Sequence, residues 1–149
     1  MAGDLPRPAP GRQYAALPLA EIDGRLRVLL VTSRETRRWV LPKGWAEDGL
    51  LPPALAAKEA FEEAGALGEV LPEEIGAYRY GKRLKTGDVL PCEVRVFRMH
   101  VERLAAEWPE ARERERRWFS LDEAADRVQE EDLVLLLRRL APRRGPRRR

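Results

Sequence analysis

Three glutamates, Glu59, Glu62 and Glu63, stand at i, i+3 and i+4 in the stretch Ala54 to Ala64, which is rich in strong helix formers. At that spacing their carboxylates share one face of a helix. Like charges along one stripe repel one another unless a cation sits among them. Oxygen donors at that density suit a hard divalent ion, Mg²⁺ or Mn²⁺, which takes carboxylates and waters and often bridges to phosphate. For a helix taken alone, a solvated acidic face is the competing reading. Ala56, Ala57, Ala60 and Ala64 supply a small apolar face that can sit close against a sheet.

The surrounding segments must supply that sheet. Gln13 to Glu21 reads as a strand, and Pro18 within it predicts an edge or a bulge. Asp23-Gly24 is a hairpin signal leading into Leu26 to Thr32, apolar and β-rich enough for a buried strand. Arg34 to Arg38 is a polar turn, and Trp39 to Leu41 a short strand. Pro42 to Pro53 (PKGWAEDGLLPP) reads as a loop from its Gly and Pro content. Its closing prolines suit a helix start, and Gly65 suits a helix end. Ile75 to Arg83 and Cys92 to Val101 are two further strands around a turn at Lys85 to Asp88. Arg117 to Phe119 is a short strand. Ser120 and Glu123 form a capping box for a helix reaching about Val128, and Asp132 to Leu140 is a last apolar helix. The order β-β-β-α-β-β-β-α-α is a mixed α+β layout.

Composition narrows the class. A chain of 149 residues with 44% hydrophobic and 36% charged residues makes one globular domain, neither disordered nor fibrous. One Cys excludes an internal disulfide. No apolar run approaches the roughly 20 residues of a membrane span, and Met1 to Arg12 lacks the apolar region of a signal peptide. A soluble, cytoplasmic protein is expected. The net charge of +3 is smaller than the five Arg of residues 143–149, so the body is slightly acidic and the basicity belongs to the tail. The expected organisation is a flexible N-terminus at 1–12, a domain at 13–140 and a disordered Arg-rich tail at 141–149. Attraction of nucleic acid to that tail is weakly supported against the reading of a solvated terminus.

Taken with its upstream loop, Gly44 to Ala66 resembles the Nudix box, G-x5-E-x7-R-E-U-x-E-E-x-G-U, where U is a bulky apolar residue. Gly44, Glu59, Glu62, Glu63 and Gly65 fall on its positions with no insertion. The strand order and the ending RRWFSLDEA extend the resemblance over Tyr14 to about Leu140. It implies a Nudix fold, a mixed β-sheet sandwiched between α-helices. Leu50 stands where the box has its loop Glu, and Lys58 where it has Arg; Ala60 and Ala66 are small where it prefers bulk. Lys58 keeps the charge but not the bidentate fork of Arg. Glu47 and Asp48 lie near enough in the loop to compensate.

The resemblance also implies a chemistry, hydrolysis of a diphosphate linked to another moiety, with Mg²⁺ (or Mn²⁺) held by the helix carboxylates and activating water. Glu63 and Glu59 are the first choices as ligands, Glu62 is a ligand or the partner of a second metal, and Glu59 is also a candidate base. A main-chain carbonyl of Lys43 or Gly44 is expected to contribute. A further Glu from a distant loop would come from Glu107, Glu110 or Glu113, with no choice among them. PKGW and the segment EWPE before RERERRWF resemble the branch that hydrolyses diphosphoinositol polyphosphates and dinucleoside polyphosphates. Arg34, Arg37, Arg38, Lys43, Lys82, Arg83 and Lys85 are cations that can make charge-assisted hydrogen bonds to an anionic polyphosphate substrate. Two alternatives are an RNA 5′-pyrophosphohydrolase aided by the tail, and a catalytically weak module that binds nucleotide or RNA. Trp45, Tyr78 and Tyr80 could stack a base, but ordinary sheet packing is the favoured reading of the two tyrosines. Trp39 and Trp118 are expected in the core, His100 as a structural residue and Cys92 as a packed thiol. Nothing marks an oligomeric interface.

Overall fold

The computed structural model describes residues 11–142. Most of the N-terminal segment and of the Arg-rich tail therefore lie outside the described residues. The chain forms a seven-stranded mixed sheet with helices on both faces, as expected. At its centre is β1 (Gly11–Ile22). On one side β1 runs parallel to β6 (Val89–Leu104), from Gly11↔Cys92 to Leu19↔His100. On the other side it pairs antiparallel, first with β4 (Lys43–Trp45) and then with β2 (Arg25–Thr32).

That change of neighbour explains Pro18, which lies in a central strand rather than at the predicted edge. Ala16 donates its N–H to Pro42 O at 3.1 Å, on the β4 side. Pro18, two residues on, faces the same way. Pairing with β4 covers Gln13 to Ala15 and pairing with β2 begins at Leu19. The missing donor thus falls in the gap between two partners, where no ladder bond is lost.

The hairpin at Asp23-Gly24 forms with both residues at positive φ, 53° and 75°. Beyond β2 lies β3 (Trp39–Val40). The segment from Pro42 is not all loop: its residues Lys43 to Trp45 are β4, a strand too short to show a pattern. Helix α1 (Pro52–Ala64) starts on its two prolines and ends at Gly65, which adopts the left-handed conformation at φ 66°. Strand β5 (Ala66–Arg83) starts nine residues before the expected strand at Ile75. Its pairing with β6 shifts register between Val70 and Gly76, around Pro72, and this irregularity hides the strand's first half from a period-2 search. Strand β7 (Arg116–Ser120) pairs with β2. Ser120 and Glu123 make both bonds of the capping box that opens α2 (Leu121–Arg127), and α3 (Glu131–Leu140) follows.

The two faces of the sheet are packed differently. Ala15, Leu17 and Leu19 of β1 face α2 and α3, with Leu133, Leu136 and Leu137 of α3. Ala16 faces α1, where Ala56, Ala60 and Ala64 are fully buried. Methyl groups alone on that stripe let α1 lie close to the sheet and bring its carboxylates near the strands. Among the described residues, no helix is long and apolar enough to cross a membrane.

Candidate active site

The carboxylates of α1 meet the backbone of β4. The Glu59 carboxyl lies directly against Gly44: a Cβ at that position would come within 2.6 Å of Glu59 Oε2. A side chain there would displace the Glu59 carboxyl. Glu63, only 7% exposed, accepts the N–H of Lys43 at 3.3 Å through Oε1. In a strand a residue's N–H and C=O point the same way. The Lys43 peptide groups therefore face the carboxylates, whereas those of Gly44 face β1, the side on which Ala46 donates to Arg12 O at 3.0 Å.

Burial dominates the electrostatics. It pushes the Glu63 carboxyl up to about 8, aided by the charges of Glu59 and Glu110 and opposed by Arg114 and Lys43. Glu59 is also raised, by burial first and then by Glu62. Glu62 is half-buried, and its main-chain oxygen accepts the N–H of Glu110 at 3.0 Å. Lys58, at the Arg position of the box, pairs at 2.8 Å with Glu47 of the loop. Glu47 thus takes the place that Leu50 leaves.

The loop between β6 and β7 closes over the end of α1. Trp108 Nε1 donates to Glu63 O at 2.9 Å, and Arg116 donates to Ala64 O and Ala105 O while its guanidinium stacks 3.9 Å from the Trp108 ring centroid. A cation on the Ala64 carbonyl, at the C-terminal end of α1, complements the helix dipole. Of the three distant glutamates, the fold brings Glu110 to the site: its charge reaches both Glu59 and Glu63. Glu113 is instead 3.5 Å from Arg34, and Glu107 is exposed. Arg114, overlooked in the sequence, reaches Glu110 Oε1 at 2.7 Å and Glu63 Oε2 at 3.5 Å. Its signal was the i, i+4 spacing from Glu110.

The side chain of Lys43 crosses to the other face of the sheet. Its ammonium lies 5.1 Å from the Tyr80 ring centroid, and burial pushes its pKa down against the pull of Glu63 and Glu130. Tyr80 donates to Gln13 Oε1 at 2.7 Å. Arg38 and Lys82 are close enough to depress Lys43 further. Arg38 pairs at 2.9 Å with Glu130, the N-cap residue of α3. Arg34 and Arg37 are tied to the β6–β7 loop, Arg37 by donating to Glu113 O at 3.0 Å. Arg83 and Lys85 extend from the exposed β5–β6 turn.

Tyr78 is core, at 2% exposure, and Tyr80 carries Lys43 on its ring, so both tyrosines are packing residues. Trp45 is 40% exposed. Trp39 packs edge-on against Phe119 at 5.0 Å, and Trp118 lies half-buried on the α1 side. Cys92 is buried and unpaired, and His100 is exposed on β6.

Among the described residues, no three His, Cys, Asp or Glu side chains form a ready-made metal cage. The donors present are two adjacent carboxylates, Glu59 and Glu63, with the inward side of the Lys43 peptide. That set fits Mg²⁺, which keeps several waters and binds through one or two carboxylates plus substrate phosphate.

Comparison with known proteins agrees with this architecture. The model of the NUDIX domain matches residues 11–143. Nudix hydrolase 4 of Arabidopsis thaliana is 37% identical over 102 residues, covering 68% of this chain and 47% of the relative. Diphosphoinositol polyphosphate phosphohydrolase 3-alpha of Mus musculus is 32% identical over 100 residues, covering 65% of this chain and 57% of the relative. The chain spans about half the length of the curated relatives it matches. The crystal structure of the C. elegans Ap4A hydrolase superposes with a TM-score of 0.60 at 17% identity, over 86% of this chain and 93% of that one, a likeness of fold. The family match over all of the described residues, on a sheet and helix that set Glu59 against Gly44 and Glu63 against the Lys43 N–H, places this chain in the Nudix hydrolase family.

Proposed function

We propose that the chain is a Mg²⁺- or Mn²⁺-dependent hydrolase of phosphoric anhydride bonds in a polyphosphorylated small molecule, of the diphosphoinositol polyphosphate or dinucleoside polyphosphate type. The observation that carries this reading is the meeting of Glu59 and Glu63 with the Lys43–Gly44 backbone. On it, Glu59, Glu63 and the Lys43 carbonyl hold the metal, with Glu62 and Glu110 available to a further ion. When bound, the metal supplies Lewis acidity toward phosphate oxygens and makes water a better nucleophile near neutral pH. Glu59, whose carboxyl is raised by burial, is suited to accept the proton of an attacking water. Lys43, with Arg38 and Lys82 near enough for their charges to act on it, would hold phosphates that do not react. With Tyr80 already covered by Lys43, this region is better fitted to read charge than to stack a base. The names of the mouse relative and the worm structure support the same substrate types.

The test is phosphate release with Mg²⁺ from a panel: a diphosphoinositol polyphosphate, diadenosine polyphosphates, ADP-ribose, a nucleoside triphosphate and a 5′-triphosphate RNA. Turnover of one of the first two classes, lost in Glu63→Gln, is the expected result. Silence across the panel from folded, metal-bound protein would turn the reading to a binding module.

A further inference from the structure

Arg114 is a buried cation in contact with the α1 carboxylates, and the hydrolytic reading gives it no part. Its side chain is 8% exposed. Three of its nitrogens reach three elements: Nε donates to Glu110 Oε1 at 2.7 Å, Nη1 donates to Thr32 O at 3.1 Å, and Nη2 stands 3.5 Å from Glu63 Oε2. The first two contacts are short and fix the guanidinium in the β6–β7 loop and against the end of β2. The third is long, so it can be given up without releasing Arg114. Glu63 is left with one other nearby donor, the Lys43 N–H at 3.3 Å, and burial keeps most water from it.

We infer that Arg114 is an internal counter-cation of the carboxylate site, holding Glu63 and Glu110 in place when no divalent ion is bound and yielding Glu63 when one binds. A guanidinium suits this task because it stays charged at every pH of interest and its planar fork reaches several oxygens at once. Without it, Glu59, Glu63 and Glu110 would face one another with only the more distant charge of Lys43 to offset Glu63. With it, the site is formed before the ion arrives, and the ion must displace one weak contact. This makes Arg114 a positioning residue, and the inference rests on the metal-site reading above.

The test is Mn²⁺ binding by the full chain, followed by electron paramagnetic resonance of free Mn²⁺ and by thermal melting, in wild type, Arg114→Gln, Arg114→Lys and Glu63→Gln. Arg114→Gln is expected to melt lower than wild type without metal. Mn²⁺ is then expected to raise its melting temperature more than it raises that of wild type, and to bind about fivefold more tightly because no internal cation competes. Arg114→Lys should fall between, and it carries the test alone if Arg114→Gln does not fold. Equal Mn²⁺-induced shifts and equal affinities in all Arg114 forms would overturn the inference and leave Arg114 as a clamp on Thr32. Wild type that binds no Mn²⁺, or binds it no better than Glu63→Gln, would instead sink the metal-site reading itself.

Discussion

Helix α1 is tied to its neighbours by two cation–carboxylate contacts of opposite character. Lys58 and Glu47 meet at 2.8 Å with side chains 42% and 45% exposed. Arg114 and Glu63 meet at 3.5 Å with both almost wholly buried. By distance alone the first is the stronger. Water makes the difference: an exposed pair is nearly as well served by solvent when broken, whereas a buried carboxylate has no substitute partner. Of the departures from the Nudix box, Lys58 is exposed and Leu50 lies half-buried in the loop, where the fold tolerates a change of partner, while Ala60 and Ala66 are buried and change only the bulk packed there. The buried side keeps all its carboxylates.

Four measurements can break or sharpen that contrast. The largest effect is expected from Glu63→Gln, which keeps the shape and removes the charge; turnover should fall about a thousandfold, within the range for a lost catalytic group. A loss under about tenfold would show that Glu63 is not at the reacting centre. Next is Gly44→Ala, whose methyl would meet the Glu59 carboxyl. Displacing that group should cost about a hundredfold in kcat with the melting temperature little changed; a fall in stability alone would mean that Gly44 serves packing.

A smaller effect concerns pH. The Glu63 carboxyl is raised from 4.5 to about 8, so the folded state holds a proton that the unfolded state releases. Its contribution to stability is present below about pH 4.5 and is lost as the pH rises through about 8. A divalent ion takes the place of that proton. Mg²⁺ should therefore raise the melting temperature more at about pH 8 than at about pH 5. Equal shifts at both would put the ion elsewhere. The smallest effect belongs to the exposed pair: Lys58→Ala, Glu47→Ala and the double variant should give a coupling below about 0.5 kcal/mol in denaturant melts. A coupling above about 1 kcal/mol would erase the distinction between the two contacts.

What could be read before the fold was known followed from local chemistry. The α1 carboxylates, its proline start and Gly65 end, the Asp23-Gly24 hairpin and the Ser120–Glu123 box all depend on neighbours within a few residues. The misreadings depend on distant partners. β4 is recognisable only once Gln13 to Ala15 is set beside it. Pro18 is harmless only because β1 changes neighbours there. The start of β5 is masked by the irregular pairing around Pro72. Glu110 was one of three equivalent candidates until its loop was placed over α1. Arg114 was one arginine in an alternating run, and only burial singles it out.

The parallel pairing of β1 with β6 also bears on how the molecule is born. Arg12 and Glu93, which meet across these strands, are 81 residues apart in sequence. A ribosome delivers β1, β2 and α1 long before β6 exists, so the central strand waits with one long edge open while the rest is made. Such long-range closure slows folding, and an open edge exposed meanwhile invites pairing with other chains. Expression should therefore be more sensitive to changes that lengthen this wait, such as slow codons between α1 and β6, than to the same changes placed after Leu104.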